Sequence, residues 1–320
     1  MRRGVKLAAI WLGGLAVAMA LAAGVLLYRH MQVADSDYDV SVPSPAYTGD
    51  GPRLCIDEAH NNFATARDRY GPFAGLARND GFRVSANTSL FTPESLRACD
   101  ILAIANALGA SLPVLPSASN AAFGNAEADA AYEWVRDGGS LLLVADHEPA
   151  GAAAENFARR FGVDMSTGAT FDDPHSDWSS GNPAWLVFGR DTGALILDHP
   201  VTQGRDSSER IKRVVTFRGQ SLDGPDGSVG FLALAASAMD RLPDKREVSA
   251  AGRSQAVAFT LGKGRVVVLG EAAMLSAQVT GGGSRRFGMN WPNTDDRQLA
   301  LNILHWLSGL LPAALPTAPE

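Results

Sequence analysis

Cysteine is scarce in this chain. There are two in 320 residues, Cys55 and Cys99, with neither a C-x-x-C pair nor Cys/His finger spacing, which excludes a structural zinc finger. Each stands beside an apolar run that reads as a buried strand. The default reading is therefore two small core hydrophobes, with a disulfide as the alternative in an oxidising compartment. Basic clusters are scarce too. Beyond the extreme N-terminus no Lys/Arg-rich run occurs, and the formal net charge is −6. A nucleic-acid partner is excluded on that ground, because phosphate binding needs a basic footprint. The pair Arg285–Arg286 in GGGSRRFG is too small to supply one. It reads as a solvated loop, or at most as a holder of an anionic ligand. No HExxH helix and no internal repeat occur. With 46% hydrophobic and 19% charged residues, the chain is also unlike a disordered one.

What is present begins with the N-terminus. Basic MRRGVK precedes LAAIWLGGLAVAMALAAGVLLY, an uncharged run over residues 7–28. About twenty such residues cross a bilayer, and Arg2, Arg3 and Lys6 favour a cytoplasmic N-terminus. Small residues around Ala20–Ala23 leave a cleaved signal peptide open. The run continues through Val25 to Tyr28, which favours an uncleaved signal anchor. Either way, residues 51–311 are expected in the periplasm, outside a cytoplasmic membrane that the chain crosses once. No lipobox cysteine follows the run, which argues against a lipoprotein. Residues 29–50 read as a polar tether with two prolines, and residues 312–320 as a tail.

The body alternates strands and helices. Expected strands are 53–58, 82–87, 100–106 and 140–146, and expected helices 64–80, 93–99, about 126–137 and 152–161. In the third helix Ala130, Trp134 and Val135 carry the apolar face. Short, continuous, apolar strands suit a parallel sheet buried on both faces, so the expected class is α/β, doubly wound and mostly parallel. Residues 163–255, rich in Asp, Gly and Pro with short β-like runs, read as a β-rich insertion. A hairpin turning at Gly262–Gly264 feeds a last core strand. The closing helix, 295–311, aligns Leu299, Ile303, Trp306, Leu307 and Leu310.

Ligands of open parallel sheets bind outside the carboxyl ends of the strands. Those ends carry Asp57, Glu58, His60, Asn61 and Asn62 after the first strand, and Asn106 after the third. Asp146, His147 and Glu148 follow the fourth, and Glu271 the last. Asp146, His147, Glu148 and Glu271 are the candidate acid–base groups. Asp57, Glu58, Asn61, Asn106 and the loop residue Trp178 are candidate ligand contacts. Imidazoles beside carboxylates suit a divalent metal such as Zn²⁺, Mn²⁺ or Fe²⁺, with His60, His147 and His175 as ligands. The bland reading is that the same residues cap helices and satisfy loop backbone. His305 is assigned to packing and His199 to a turn. Trp291, like Trp178, is a platform for a sugar or peptide, or a pin for its loop.

The segments DEAHNN, YGPFAGLARNDGFRV, ILAIANAL, EWVRDGGSLLLVADHEPAG, DHPVTQG, GKGRVVVLGEAAMLSAQ and NWPNTDDRQLALNILHWLSGLL carry a resemblance. Over about residues 53–311 the chain resembles a bacterial family of unknown function within the class I glutamine-amidotransferase-like superfamily. The resemblance implies a flavodoxin-like sandwich, often membrane-anchored. True glutamine amidotransferases need a cysteine on the strand–turn–helix elbow. The equivalent turn here, ADHEPAG, has neither Cys nor Ser, so that mechanism is not expected. Two functions remain open: an extracytoplasmic hydrolase, metal-dependent or acid–base, acting on a glycan, peptide or small amide; or a non-catalytic domain binding a glycan, peptide or envelope protein.

Overall fold

The computed structural model describes residues 31–111, 116–190, 195–196, 198–280, 283 and 285–315, with isolated positions 19, 22, 24 and 25 before them. Seven strands form the central sheet and are numbered here in chain order. They are β1 (Arg53–Asp57), β2 (Arg83–Asn87), β3 (Ile101–Ala105), β4 (Ser140–Val144), β5 (Val229–Gly230), β6 (Ala256–Leu261) and β7 (Gly264–Leu269). The spatial order is β5-β6-β7-β4-β3-β1-β2. The five strands from β7 to β2 are parallel, while β6 runs against both its neighbours. The carboxyl ends of β1, β3, β4 and β7 therefore share one edge. The order reverses between β1 and β3, where such sheets open a crevice.

Alternate residues of each strand enter opposite faces, as the period of two requires. Leu54, Ile56, Ile101, Ala103, Leu142, Val144, Val267 and Leu269 face one core. Helix α1 (Gly71–Asn79) and the closing helix, α6 (Asp296–Leu307), cover that side. Cys55, Leu102, Ile104, Leu141, Leu143, Val266 and Val268 face the other core, under α3 (Asn125–Arg136) and α4 (Ala150–Arg160). Short helices α2 (Pro93–Leu96) and α5 (Pro200–Gln203) complete the set among the described residues. The insertion contributes small antiparallel sheets, one of which joins Ala169–Phe171, Met239–Arg241 and Glu247–Ser249.

Several expectations change. Helix α1 begins only at Gly71, with Pro72 in its first turn; the chain before it turns instead, which buries Tyr70. The buried stripe of α3 is Ala128, Ala131 and Val135, not Ala130 and Trp134. Trp134 folds over Gly139, where a Cβ would lie 2.3 Å from the indole. Leu310, beyond α6, is 40% exposed. Cys55 and Cys99 form a disulfide with Cα atoms 5.6 Å apart, rather than two free thiols. Hydrogen-bonded β1 and β3 bring them together, since Cys99 lies just before β3.

The polar tether also differs from expectation. Gln32–Ala34 pairs antiparallel with Ala277–Thr280. Asp80 then accepts from the backbone N–H of Ala46, and the Tyr47 hydroxyl donates to Ser308 Oγ. Arg297 donates to the carbonyls of Asp39 and Ser41 and lies over Tyr38. Polar composition was compatible with a strap because its backbone groups find partners on the domain. Among the described residues no helix is long and apolar enough to cross a membrane. The apolar run 7–28 lies outside them, apart from the isolated positions.

Candidate functional site

Asp146 follows β4 at the shared edge and is held by its neighbours. Asn106, after β3, donates from Nδ2 to Asp146 Oδ2 at 2.7 Å and accepts the Asp146 N–H at Oδ1, at 2.9 Å. The N–H of Ala272, after β7, donates to Asp146 Oδ1 at 2.6 Å. Burial raises the Asp146 pKa despite the lowering effects of His147, Asn106 and Ala272. Glu271 is buried beside it. Its Oε1 and Oε2 accept the N–H groups of Ala273 and Met274 at 2.7 and 2.8 Å. Burial and the nearby Asp146 charge push its pKa well up. The Asp146 charge thus disfavours ionisation of Glu271.

His147 completes the centre. Its Nδ1 lies 2.7 Å from the carbonyl oxygen of Glu148. A carbonyl only accepts, so Nδ1 carries the hydrogen and the neutral ring has its lone pair on Nε2. Among the described residues Nε2 has no protein partner.

Two adjoining cavities, of about 210 and 200 Å³, share Phe63, Asn106, Asp146 and His147 in their walls. The first adds Gln32, Arg69, Tyr70, Arg218, Glu271 and Gln278. The second adds Leu108, Glu148 and Pro149. A larger depression of about 530 Å³ near Arg159 and Arg160 is remote from this chemistry, and both arginines are ion-paired there.

The other expected residues are held differently. His60 is buried with both ring nitrogens engaged: Nδ1 lies 2.9 Å from Asp57 Oδ2, and Nε2 lies 2.9 Å from Glu127 Oε1. Phe91 and Phe123 flank the ring at centroid distances of 4.6 Å. Asp57 also accepts from Asn62 and Asn87, Glu58 accepts the N–H of Ala66, and Asn61 donates to the carbonyl of Leu108. These groups knit the end of β1 and line neither cavity. Glu148 accepts from Ser119 Oγ at 3.0 Å. His175 pairs with Asp172 in the insertion. Trp178 is 77% exposed on its loop, whereas Trp291 donates to Asp177 and pins it.

The metal expectation finds no support in the donor geometry. Among the described residues no three or more His, Cys, Asp or Glu side chains converge as a metal site. His60, His147 and His175 are not brought together: His60 pairs with Asp57 and Glu127, His175 pairs with Asp172, and His147 bonds the Glu148 carbonyl through Nδ1 alone.

No family model matches the chain, and no curated protein does. Solved structures share its course at low identity. The mmIFT52 N-terminal domain superimposes with a TM-score of 0.55 and 12% identity, covering 80% of this chain and 97% of that one. That similarity shows the fold alone. A ThuA-like protein from Bacteroides uniformis gives a TM-score of 0.44 and 15% identity, covering 83% of this chain and 95% of that one. A GMP synthase-like protein from Thermoplasma acidophilum gives 0.38 and 11%, covering 81% and 96%. The chain is a mixed α/β protein with a mostly parallel central sheet and added strands.

Residues that sequence reading did not single out complete the site. Gln220 is wholly buried. Its Nε2 donates to the carbonyls of Ala145 and Asp146, and its Oε1 accepts the N–H of Thr167. It is a positioning residue for the turn after β4. Gly151 is needed for the same contact, since a Cβ there would lie 2.6 Å from Gln220 Nε2. Arg218 and Thr167 adopt positive φ, 77° and 56°, which is strained for side chains of their kind. Tyr70 donates to the carbonyl of Ala272 at 3.0 Å. The RGQ at 218–220 offered a weak signal, but nothing in sequence joins it to a turn more than seventy residues earlier.

Proposed function

We propose that this chain is a membrane-anchored extracytoplasmic protein with an amidotransferase-like fold and an acid–base site, of hydrolase type, at the carboxyl edge of its sheet. The observation that carries the reading is the meeting of Asp146 and His147 in one pair of cavities. Asp146 is held in place by Asn106 and Ala272, and burial raises its pKa, so it is the candidate proton donor. His147 presents an unpartnered Nε2, so it can take a proton from water or a substrate hydroxyl. Tyr70 and Glu271 back this pair, and the turn has no thiol or hydroxyl nucleophile. The chemistry is therefore general acid–base, acting on a small ester, amide or glycoside. The disulfide supports an oxidising compartment, and the apolar run 7–28 supports the anchor.

One observation favours the alternative of a non-catalytic binding domain for a glycan, peptide or envelope protein. Every oxygen of Asp146 and Glu271 already accepts a hydrogen bond from the protein. Two measurements decide. Carboxyl ¹³C NMR of the protein is expected to show Asp146 titrating above the ordinary range near ~4. A panel of p-nitrophenyl esters, anilides and glycosides is expected to include one that is turned over, with loss of at least about a hundredfold in His147→Ala. An ordinary Asp146 titration with no turnover across the panel overturns the acid–base reading and leaves the binding one.

A further inference from the structure

The position of the strap bears on where the site's ligand comes from. Gln32 lines the first cavity. It lies four positions after Tyr28, the end of the apolar run. Fully extended, that length of chain spans at most ~14 Å. If the run crosses the bilayer, the cavity wall lies within that distance of the membrane surface. Phe63 (38%) and Leu90 (59%), in the segments after strands of the carboxyl edge, expose large apolar side chains, and so does Met31 (51%) beside Gln32. Met31 precedes Gln32, Phe63 follows β1 and lines both cavities, and Leu90 follows β2. The opposite edge shows Leu310 near the start of β7, where Arg265 donates to the carbonyls of Trp306 and Leu311, and Leu315 (37%) beside Phe259 and Trp306.

Charge points the same way. The body is acidic overall, so an anionic membrane would repel most of its surface. At the cavity, however, Arg69 lies 4.0 Å over the Phe63 ring. Its charge is shared with Asp68 at 3.0 Å. Arg218 is exposed at the wall, and among the described residues its guanidinium has no partner. One cation without a partner beside exposed apolar side chains matches an interface of anionic headgroups over acyl chains.

We infer that the carboxyl edge of the sheet lies against the bilayer, so that the cavity between Gln32, Phe63 and Arg218 receives the headgroup of an anionic membrane lipid. This inference rests on the anchor and on the site proposed above. It narrows the substrate to an amphiphile presented by the membrane. Arg218 meets its negative charge, Phe63 its apolar shoulder, and Asp146 and His147 the bond or group below.

The test uses the full chain in nanodiscs of phosphatidylcholine, alone or mixed with phosphatidylglycerol. A photoreactive benzoylphenylalanine is placed at Phe63, or at Leu310 as the opposite-edge control. Lipid adducts are expected at Phe63 and not at Leu310. In the mixture, phosphatidylglycerol adducts are expected at about fivefold over their share, the partition one surface arginine confers, and at their share in Arg218→Gln. Adducts at Leu310 but not Phe63 overturn the orientation. An unchanged ratio in Arg218→Gln overturns the headgroup assignment. Carbonate extraction is run in parallel on native membranes. Release of the chain shows that the anchor itself has failed, whereas retention without a Phe63 adduct leaves the anchor standing and overturns the inference alone.

Discussion

Asn106 and Asp146 grip each other twice, side chain to side chain at 2.7 Å and side chain to backbone at 2.9 Å, across the carboxyl ends of β3 and β4. Asn106 holds a left-handed backbone with φ of 48° to do so, a conformation that asparagine tolerates better than most residues. Asn106→Ala leaves an acceptor and a donor without their partner and is expected to cost about 1–3 kcal/mol. It also removes one of the bonds that lower the Asp146 pKa, so that carboxyl is expected to titrate higher still. Denaturant unfolding and carboxyl NMR measure the two effects. A lower Asp146 titration in the variant would contradict this account.

His60 gives a prediction with a sign in pH. Burial disfavours its charged form, but hydrogen bonds and charges from Asp57 and Glu127 outweigh that, and the net shift is upward. A raised histidine contributes stability that is fully present below the unfolded pKa of about 6.5 and is lost as pH rises through the folded value. His60→Leu leaves the buried Asp57 and the half-buried Glu127 without their cation and is expected to cost roughly 3–5 kcal/mol near pH 6. The gap between native and variant protein should narrow toward pH 9 in chemical denaturation. A gap independent of pH would show that the ring is neutral throughout.

His199 gives the opposite sign. Its Nδ1 accepts the N–H of Val201 and caps α5, while burial and Arg265 lower its pKa to about 4. Stability is retained above about 6.5 and falls as pH drops toward that folded value, by up to roughly 3 kcal/mol. His199→Asn keeps a capping acceptor without the titration. Thermal melts from pH 7 to pH 4 should therefore fall less steeply in the variant, and parallel curves would refute the assignment.

The disulfide ties β1 to the segment entering β3. Cys55→Ala with Cys99→Ala is expected to lower stability by about 2–4 kcal/mol, chiefly through the unfolded chain. The fold should survive at low temperature, because both residues lie in an otherwise continuous apolar layer. Urea unfolding of the double variant, against the oxidised protein, reads the difference.

The strap makes a separate prediction. Arg297→Ala removes the donor that holds the carbonyls of Asp39 and Ser41. Amide exchange across residues 35–44 should accelerate by roughly tenfold, the equivalent of about 1.4 kcal/mol, with little change in β3 or β4. Uniform acceleration would mean that the strap is integral to global stability.

The sequence by itself determined the layers. Short, mostly apolar strands with helices between them fit a sheet covered on both faces, although β2 (Arg83–Asn87) turned out largely exposed. It also located the edge where Asn106, Asp146 and Glu271 meet, because parallel strands place all their carboxyl ends on one side. Tertiary structure decided what those residues do. His60 looked like a ligand until Glu127, sixty-seven residues away, was seen to take its second nitrogen. Gln220, Arg218 and Gln32 reach the site from an insertion and from a strap whose local composition resembles ordinary loop. Local pattern reports which way a side chain faces. Only the folded chain sets which distant donor or charge it meets, and that meeting fixes whether a polar residue holds the fold together or stands open to a ligand.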